Sequence, residues 1–128
     1  MTYDRRDDCG NLLLGVNEVA DANNPSGLER KHIPAIKAPE TVKRGQPFHV
    51  RVTVGAGLDH PSEHKHFIQA IELYADRTFL ARVDLTAVGG CPKVTFCVSL
   101  GHACGEIRAY ARCNLHGTWL GKRDIVVT

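Results

Sequence analysis

At 128 residues, with 43% apolar and 23% charged side chains, the chain is the size of one domain and can bury a core without relying on disulfides. No apolar run approaches the roughly 18 residues of a membrane span, and a net charge of +2 with no basic cluster interleaved with aromatics leaves no footprint for nucleic acid. The five cysteines (Cys9, Cys91, Cys97, Cys104 and Cys113) are odd in number and include no CxxC pair, which excludes complete internal pairing and argues against a zinc ribbon or a rubredoxin-like knuckle.

The N-terminus mixes acids and bases ahead of a very short apolar run, unlike a secretory signal, so cytoplasm is the expected compartment. Residues 1–45 hold three of the six prolines and an Asn-Asn-Pro-Ser-Gly cluster at 23–27, with little alternation. They are expected to form a long loop-rich lead-in within the same single domain, the kind of segment that is commonly either disordered or functional.

From Gln46 onward the chain reads as short strands separated by glycine and proline, with no sustained helical period. Phe48, Val50, Val52 and Val54 fall on one strand face, with His49, Arg51 and Thr53 on the other. Phe67 to Tyr74 is expected to pair with the next run, where Phe79, Ala81, Val83 and Leu85 alternate with Thr78, Leu80, Arg82 and Asp84 after the turn-like Ala75-Asp76-Arg77. Val94, Phe96, Val98 and Leu100 predict a further strand. Ile107, Ala109, Ala111 and Cys113 predict its hairpin partner across the Gly101-His102-Ala103-Cys104 turn. In that register Phe96 faces Ala109 and Val94 faces Ala111, which points Cys113 inward at the strand end and sets Cys91 opposite Asn114. Arg123 to Thr128 is the expected last strand. Roughly seven short strands predict an all-β fold, an immunoglobulin-like β-sandwich over 46–128.

Seven histidines are the informative excess. Cys113-Asn114-Leu115-His116-Gly117 sets a thiolate and an imidazole three residues apart, a reach that suits two ligands on one metal. Alone it is a weak signal, since a buried cysteine beside a surface histidine is the commoner origin of such a pair. His60-Pro61-Ser62-Glu63-His64-Lys65-His66 is compatible both with a solvated run and with metal binding, and the pattern does not choose between His64 and His66. Lys31-His32-Ile33-Pro34 places a histidine in the lead-in, where Pro34 stiffens the chain. Together His32, His60, His66, Cys113 and His116 offer four nitrogens and one sulfur. That is one more than a structural zinc site uses, and it leaves one octahedral position open for redox chemistry with oxygen species.

In these motifs the sequence resembles the superoxide reductases of the neelaredoxin type, equivalent to the catalytic domain of desulfoferrodoxin, over roughly residues 29–128. Lys-His-Ile-Pro at 31–34, the His60 and His66 pair, and Cys-Asn-Leu-His-Gly at 113–117 stand in the family's order, and the match selects His66 over His64. The resemblance implies a seven-stranded immunoglobulin-like sandwich holding one mononuclear non-haem iron. His32, His60, His66 and His116 would be equatorial, Cys113 axial and the centre at the surface. It also implies reduction of superoxide to hydrogen peroxide with an electron from rubredoxin or a similar small carrier. Lys31 would sit over the open position and attract the anion. The extra four-cysteine iron domain of desulfoferrodoxins has only Cys9 to match it, so the chain resembles the single-iron form.

One departure concerns the glutamate that the family commonly places two residues before the loop histidine. Arg30 stands there, and Glu29 lies one residue earlier, which makes Glu29 a doubtful sixth ligand and predicts an open or water-filled position. Cys91, beside Asn114 in the expected hairpin, is a candidate redox-active thiol against the blander alternative of an inert strand residue. Cys9, Cys97 and Cys104 receive no role. The rival readings are a non-catalytic immunoglobulin-like domain with a structural metal, and a carrier or sensor sharing the fold. No membrane or nucleic-acid partner is expected, and a homo-oligomer is compatible with the reading.

Overall fold

The computed structural model of the chain describes residues 12–128, so Cys9 lies outside the described residues. Seven strands of three or more residues carry the fold: β2 (Ala35–Lys37), β4 (Phe48–Thr53), β5 (Ile68–Ala75), β6 (Thr78–Asp84), β7 (Lys93–Val98), β8 (Glu106–Cys113) and β9 (Gly117–Asp124). Three two-residue strands join them: β1 (Val16–Asn17), β3 (Thr41–Val42) and β10 (Val126–Val127). One sheet has the order β1-β9-β8-β5-β6, the second β2-β4-β7, and β3 pairs with β10 alone. The fold is all-β apart from one short helix, α1 (Gly27–His32). Among the described residues no helix is long and apolar enough to cross a membrane.

The core follows from alternation. Val50, Val52 and Phe96 from the three-stranded sheet share one apolar cluster with Ile71, Leu73, Ile107, Ala109 and Ala111 from the five-stranded sheet. Residues between them along each strand face outward, as the two-residue period of a strand requires. Cys113 ends β8 fully buried, as its place in the Ile107, Ala109, Ala111 series predicts.

Four expectations are corrected. β7 and β8 do not form a hairpin: β7 pairs with β4 in one sheet, and β8 lies between β5 and β9 in the other. Both apolar sets still face the core, because facing sheets of a sandwich satisfy the same alternation as paired strands do. The last strand is also different, since Gly117 to Asp124 forms the long β9 against β8, and only Val126 and Val127 pair after it. Phe79, grouped by alternation with Ala81, Val83 and Leu85, parts from them and is 52% exposed. A register shift between Leu73 and Tyr74 opposes Tyr74 to Phe79 and Leu73 to Ala81, which puts Phe79 on the outer side of the sheet in edge contact with the Tyr74 ring, centroids 5.5 Å apart.

The fourth correction lies in the lead-in, where α1 replaces the expected loop at Lys31 and His32. Ser26 is its N-cap: the Glu29 backbone N–H donates to Ser26 Oγ at 3.1 Å, and the Ser26 N–H donates to Glu29 Oε1 at 2.7 Å, a reciprocal capping box. The helix stops at Ile33, extended at φ −68° and ψ 123° as the residue before a proline favours. Arg30 and Lys31 stand in its last turn, where cations complement the helix dipole, and His32 ends it.

The chain after α1 crosses β9 at Gly121, where a Cβ would lie deep inside the Pro34 carbonyl. Gly121→Ala is therefore expected to lower stability by about 1–3 kcal/mol in urea denaturation. Gly27→Ala, with nothing within 4 Å of the added methyl, should stay within about 1 kcal/mol of the parent.

Candidate metal centre

Three segments far apart in sequence, around His32, His60 to His66, and Cys113 to His116, deliver imidazoles and a thiol to one place. His32 ends α1, and its Nδ1–H donates to the Leu28 carbonyl one helical turn back at 2.8 Å, which fixes the ring and leaves Nε2 facing inward. The Trp119 indole stacks on it, centroids 5.1 Å apart and planes 24° from parallel, while Trp119 Nε1 donates to the His116 carbonyl at 2.9 Å.

His60 follows a tight turn at Gly55, whose φ of +87° and close approach to the His60 backbone nitrogen, 2.6 Å from an added Cβ, both require glycine. Its Nδ1–H donates to the Pro61 carbonyl at 2.7 Å. His66 sits where a small two-way bridge with Glu63 leads into β5.

Cys113 ends β8 and is fully buried, with the N–H groups of Leu115 and His116 directed at its sulfur. Asn114 ties this loop to the His66 loop: its Oδ1 accepts from the Phe67 N–H at 2.9 Å, and its Nδ2 donates to the Lys65 carbonyl at 2.9 Å.

The result is a closed ring of four imidazoles. Neighbouring centroids are 4.7 Å apart for His32 and His60, 4.6 Å for His60 and His66, 5.0 Å for His66 and His116, and 4.9 Å for His116 and His32, with each pair steeply inclined. Ligand atoms of His32, His60, His66 and Cys113 all lie within 4.8 Å of one another. His116 Nδ1 is 3.7 Å from the Cys113 sulfur. His64, by contrast, is exposed and outside the ring.

The side chains themselves test whether a metal fits. The Nε2 atoms of His32, His60 and His66 are buried without any hydrogen-bond partner, a state that would be costly unless a cation completes it. Burial, followed by the neighbouring imidazoles, pushes His32 and His60 down to about 4 against the opposing effect of their backbone hydrogen bonds. His66 is lowered by burial, by His116 and by Lys31. These histidines are neutral at pH 7, with lone pairs open to a cation. Burial raises the Cys113 thiol, opposed by the two backbone N–H groups and Arg112.

The other expected residues are placed as follows. Lys31 is half-buried beside the ring, where its charge contributes to the lowered affinity of His60 and His66 for protons. Glu29 is buried with both carboxylate oxygens engaged by backbone, Oε1 by Ser26 and Oε2 by the Ala20 N–H at 2.8 Å. Arg30 turns away and donates to the Gly57 carbonyl at 2.8 Å. Cys91 is exposed before β7, away from the expected register with Asn114, because that hairpin does not form. Cys97 is exposed and Cys104 half-buried; among the described residues no cysteine is paired.

Sequence reasoning missed Trp119 and the clamp made by Asn114, because stacking and cross-loop bonding leave no periodic trace. The Ser26-x-x-Glu29 spacing was the available signal for α1.

A β-sandwich with a histidine and cysteine metal centre at the end of its sheets defines the class of protein. Residues 24–122 match the family model described as Desulfoferrodoxin. The chain is 36% identical over 124 residues to a protein of Nitratidesulfovibrio vulgaris named desulfoferrodoxin, covering 87% of each. It is 30% identical over 106 residues to one of Pyrococcus furiosus named superoxide reductase, covering 70% of this chain and 83% of that one. Among solved structures, a superoxide reductase (neelaredoxin) of Ignicoccus hospitalis superposes with a TM-score of 0.76 at 36% identity, covering 93% of this chain and 98% of the other. The chain belongs to the desulfoferrodoxin family.

Two outcomes follow from the titrating groups. Since His32 and His60 bind protons less readily in the fold than in the unfolded chain, the metal-free protein should be most stable above about pH 6.5 and lose stability as pH falls toward 4. Ferrous iron loading at pH 7.5, followed by calorimetry in buffers of different ionisation enthalpy, should release about one proton, from Cys113, and about none in Cys113→Ala. Equal release from the two chains would remove the sulfur from the ligand set.

Proposed function

We propose that this chain is a superoxide reductase in which His32, His60, His66 and His116 with Cys113 hold one mononuclear non-haem iron. The observation that carries the reading is the ring of four imidazoles, three of them with buried and unpartnered nitrogens, set beside a buried cysteine. Relatives named superoxide reductase support the activity. The reaction takes one superoxide, one electron and two protons to hydrogen peroxide. Bound iron supplies the one-electron couple that this exchange needs.

The chain's own residues supply the rest. Cys113, as thiolate, donates electron density from within the core, and the Leu115 and His116 N–H groups hold its sulfur in position. Lys31 offers a cation at the rim, which attracts superoxide and offsets negative charge as the product forms. His66 and His116 are only half-buried, which leaves the centre open to a small anion. Glu29 is committed to the helix cap, so it does not close the site in this reading.

The electron comes from rubredoxin or a similar small carrier, and the compartment is the cytoplasm. The lead-in segment that carries Lys31 and His32 and the strands of 46–128 act as a single domain, because His32 comes from the first and the other four ligands from the second. A closed structural metal site is the rival reading. It fits poorly with two half-exposed imidazoles and a neighbouring cation.

Cys113→Ser should abolish both the thiolate charge-transfer colour of the oxidised protein and its superoxide reduction, measured by pulse-generated superoxide on reduced protein. His66→Ala should lose iron while His64→Ala keeps it, and equal loss from both would move the ligand assignment. Lys31→Ala should slow superoxide association by about tenfold or more at low salt, with a deficit that shrinks as ionic strength rises and little change in the visible band.

A further inference from the structure

The outward face of the β2-β4-β7 sheet carries a second cluster that no part of the metal centre uses. Lys37 on β2 stands directly opposite Arg51 on β4, and Arg51 stands opposite Thr95 on β7. Like charges directly opposed across strands repel. His49 lies two residues from Arg51 on the same face, and the exposed positions of these three strands include no acid.

The side chains of Lys37, His49 and Arg51 make no hydrogen bond or ion pair among the described residues. On the five-stranded sheet, by contrast, Arg82 pairs with Glu72 and Asp84, Arg108 with Glu106, and Lys122 with Glu18, while Arg112 donates to the Thr118 hydroxyl and Arg123 to the Ile36 carbonyl. The three unpaired side chains surround a shallow groove of about 530 Å³, completed by the Thr95 hydroxyl and by an apolar wall of Ala38 and Pro39.

We infer that this groove binds a phosphate monoester, its phosphoryl group between Lys37 and Arg51 and its carbon body on Ala38 and Pro39. The arginine fork matches phosphate oxygens in pairs, the lysine adds a point charge, and Thr95 and His49 add neighbouring donors. A bound dianion also removes the repulsion between Lys37 and Arg51. No acidic side chain lines the groove, while Lys37 and Arg51 both do, so an anion is favoured over a cation. The site is independent of the iron centre and of the reaction proposed there.

The test is a titration of the iron-loaded protein with adenosine 5′-monophosphate, with inorganic phosphate, and with sodium chloride at matched ionic strength, followed by backbone amide chemical shifts. The expected result is saturable shifts at residues 35–39, 49–53 and 93–97, with the monophosphate binding several-fold tighter than inorganic phosphate. Arg51→Gln and Lys37→Gln, both at exposed positions, should each weaken binding by about tenfold while leaving the remaining amide spectrum in place. Shifts that rise linearly and are reproduced by sodium chloride would show a merely solvated basic face. Equal binding of monophosphate and phosphate would overturn the ester, and undiminished binding in a folded Arg51→Gln would overturn the site.

Discussion

Three imidazole nitrogens buried side by side, none with a hydrogen-bond partner, are the constraint on which the remaining structure depends. Each orphaned polar atom costs about 1–3 kcal/mol when no ligand satisfies it. Burial and mutual repulsion keep the rings neutral, which makes them poor neighbours for protons and good ones for a metal cation. A fold that concentrates such groups must hold them by other means. The means are backbone bonds to the Nδ1 atoms of His32 and His60, the Trp119 stack, and the Asn114 clamp between two loops.

Those supports come from every layer of the molecule. The sandwich brings β5, β8 and β9 together so that His66, Cys113 and Trp119 meet at one end of the five-stranded sheet. Gly121 lets the chain after α1 lie directly on β9, and Gly55 lets the His60 loop fold back on itself. Each glycine sets the approach of a segment that carries an imidazole of the ring, Gly55 by direct contact with the His60 backbone and Gly121 by admitting the chain that follows His32.

The short helix decides the electrostatics. In an extended loop Glu29 and Lys31 would fall on the same side of the chain, whereas in α1 they are about 200° apart around the axis. Glu29 is drawn into the capping box and the Ala20 backbone, and Lys31 is left at the rim of the imidazole ring with its charge acting on His60 and His66. The same capping box therefore withholds a carboxylate from the centre and keeps a cation beside it.

The sequence by itself determined the alternation of β4, β7 and β8, the inward direction of Cys113, and the set of histidines worth considering, because side-chain period and residue chemistry are local properties. Its spacing alone left His64 and His66 open; the family motif chose His66, and the fold sets the His66 ring among the other imidazoles and leaves His64 exposed. Only the tertiary structure decided that β7 and β8 belong to different sheets, since alternation is the same whether a strand faces its partner or the opposite layer. Only it decided that Phe79 faces out, because a single register shift reverses every side chain beyond it. The four-imidazole ring, the Trp119 stack and the opposed Lys37 and Arg51 belong to the same category: they join residues distant in the chain through packing, and no linear pattern records such contacts.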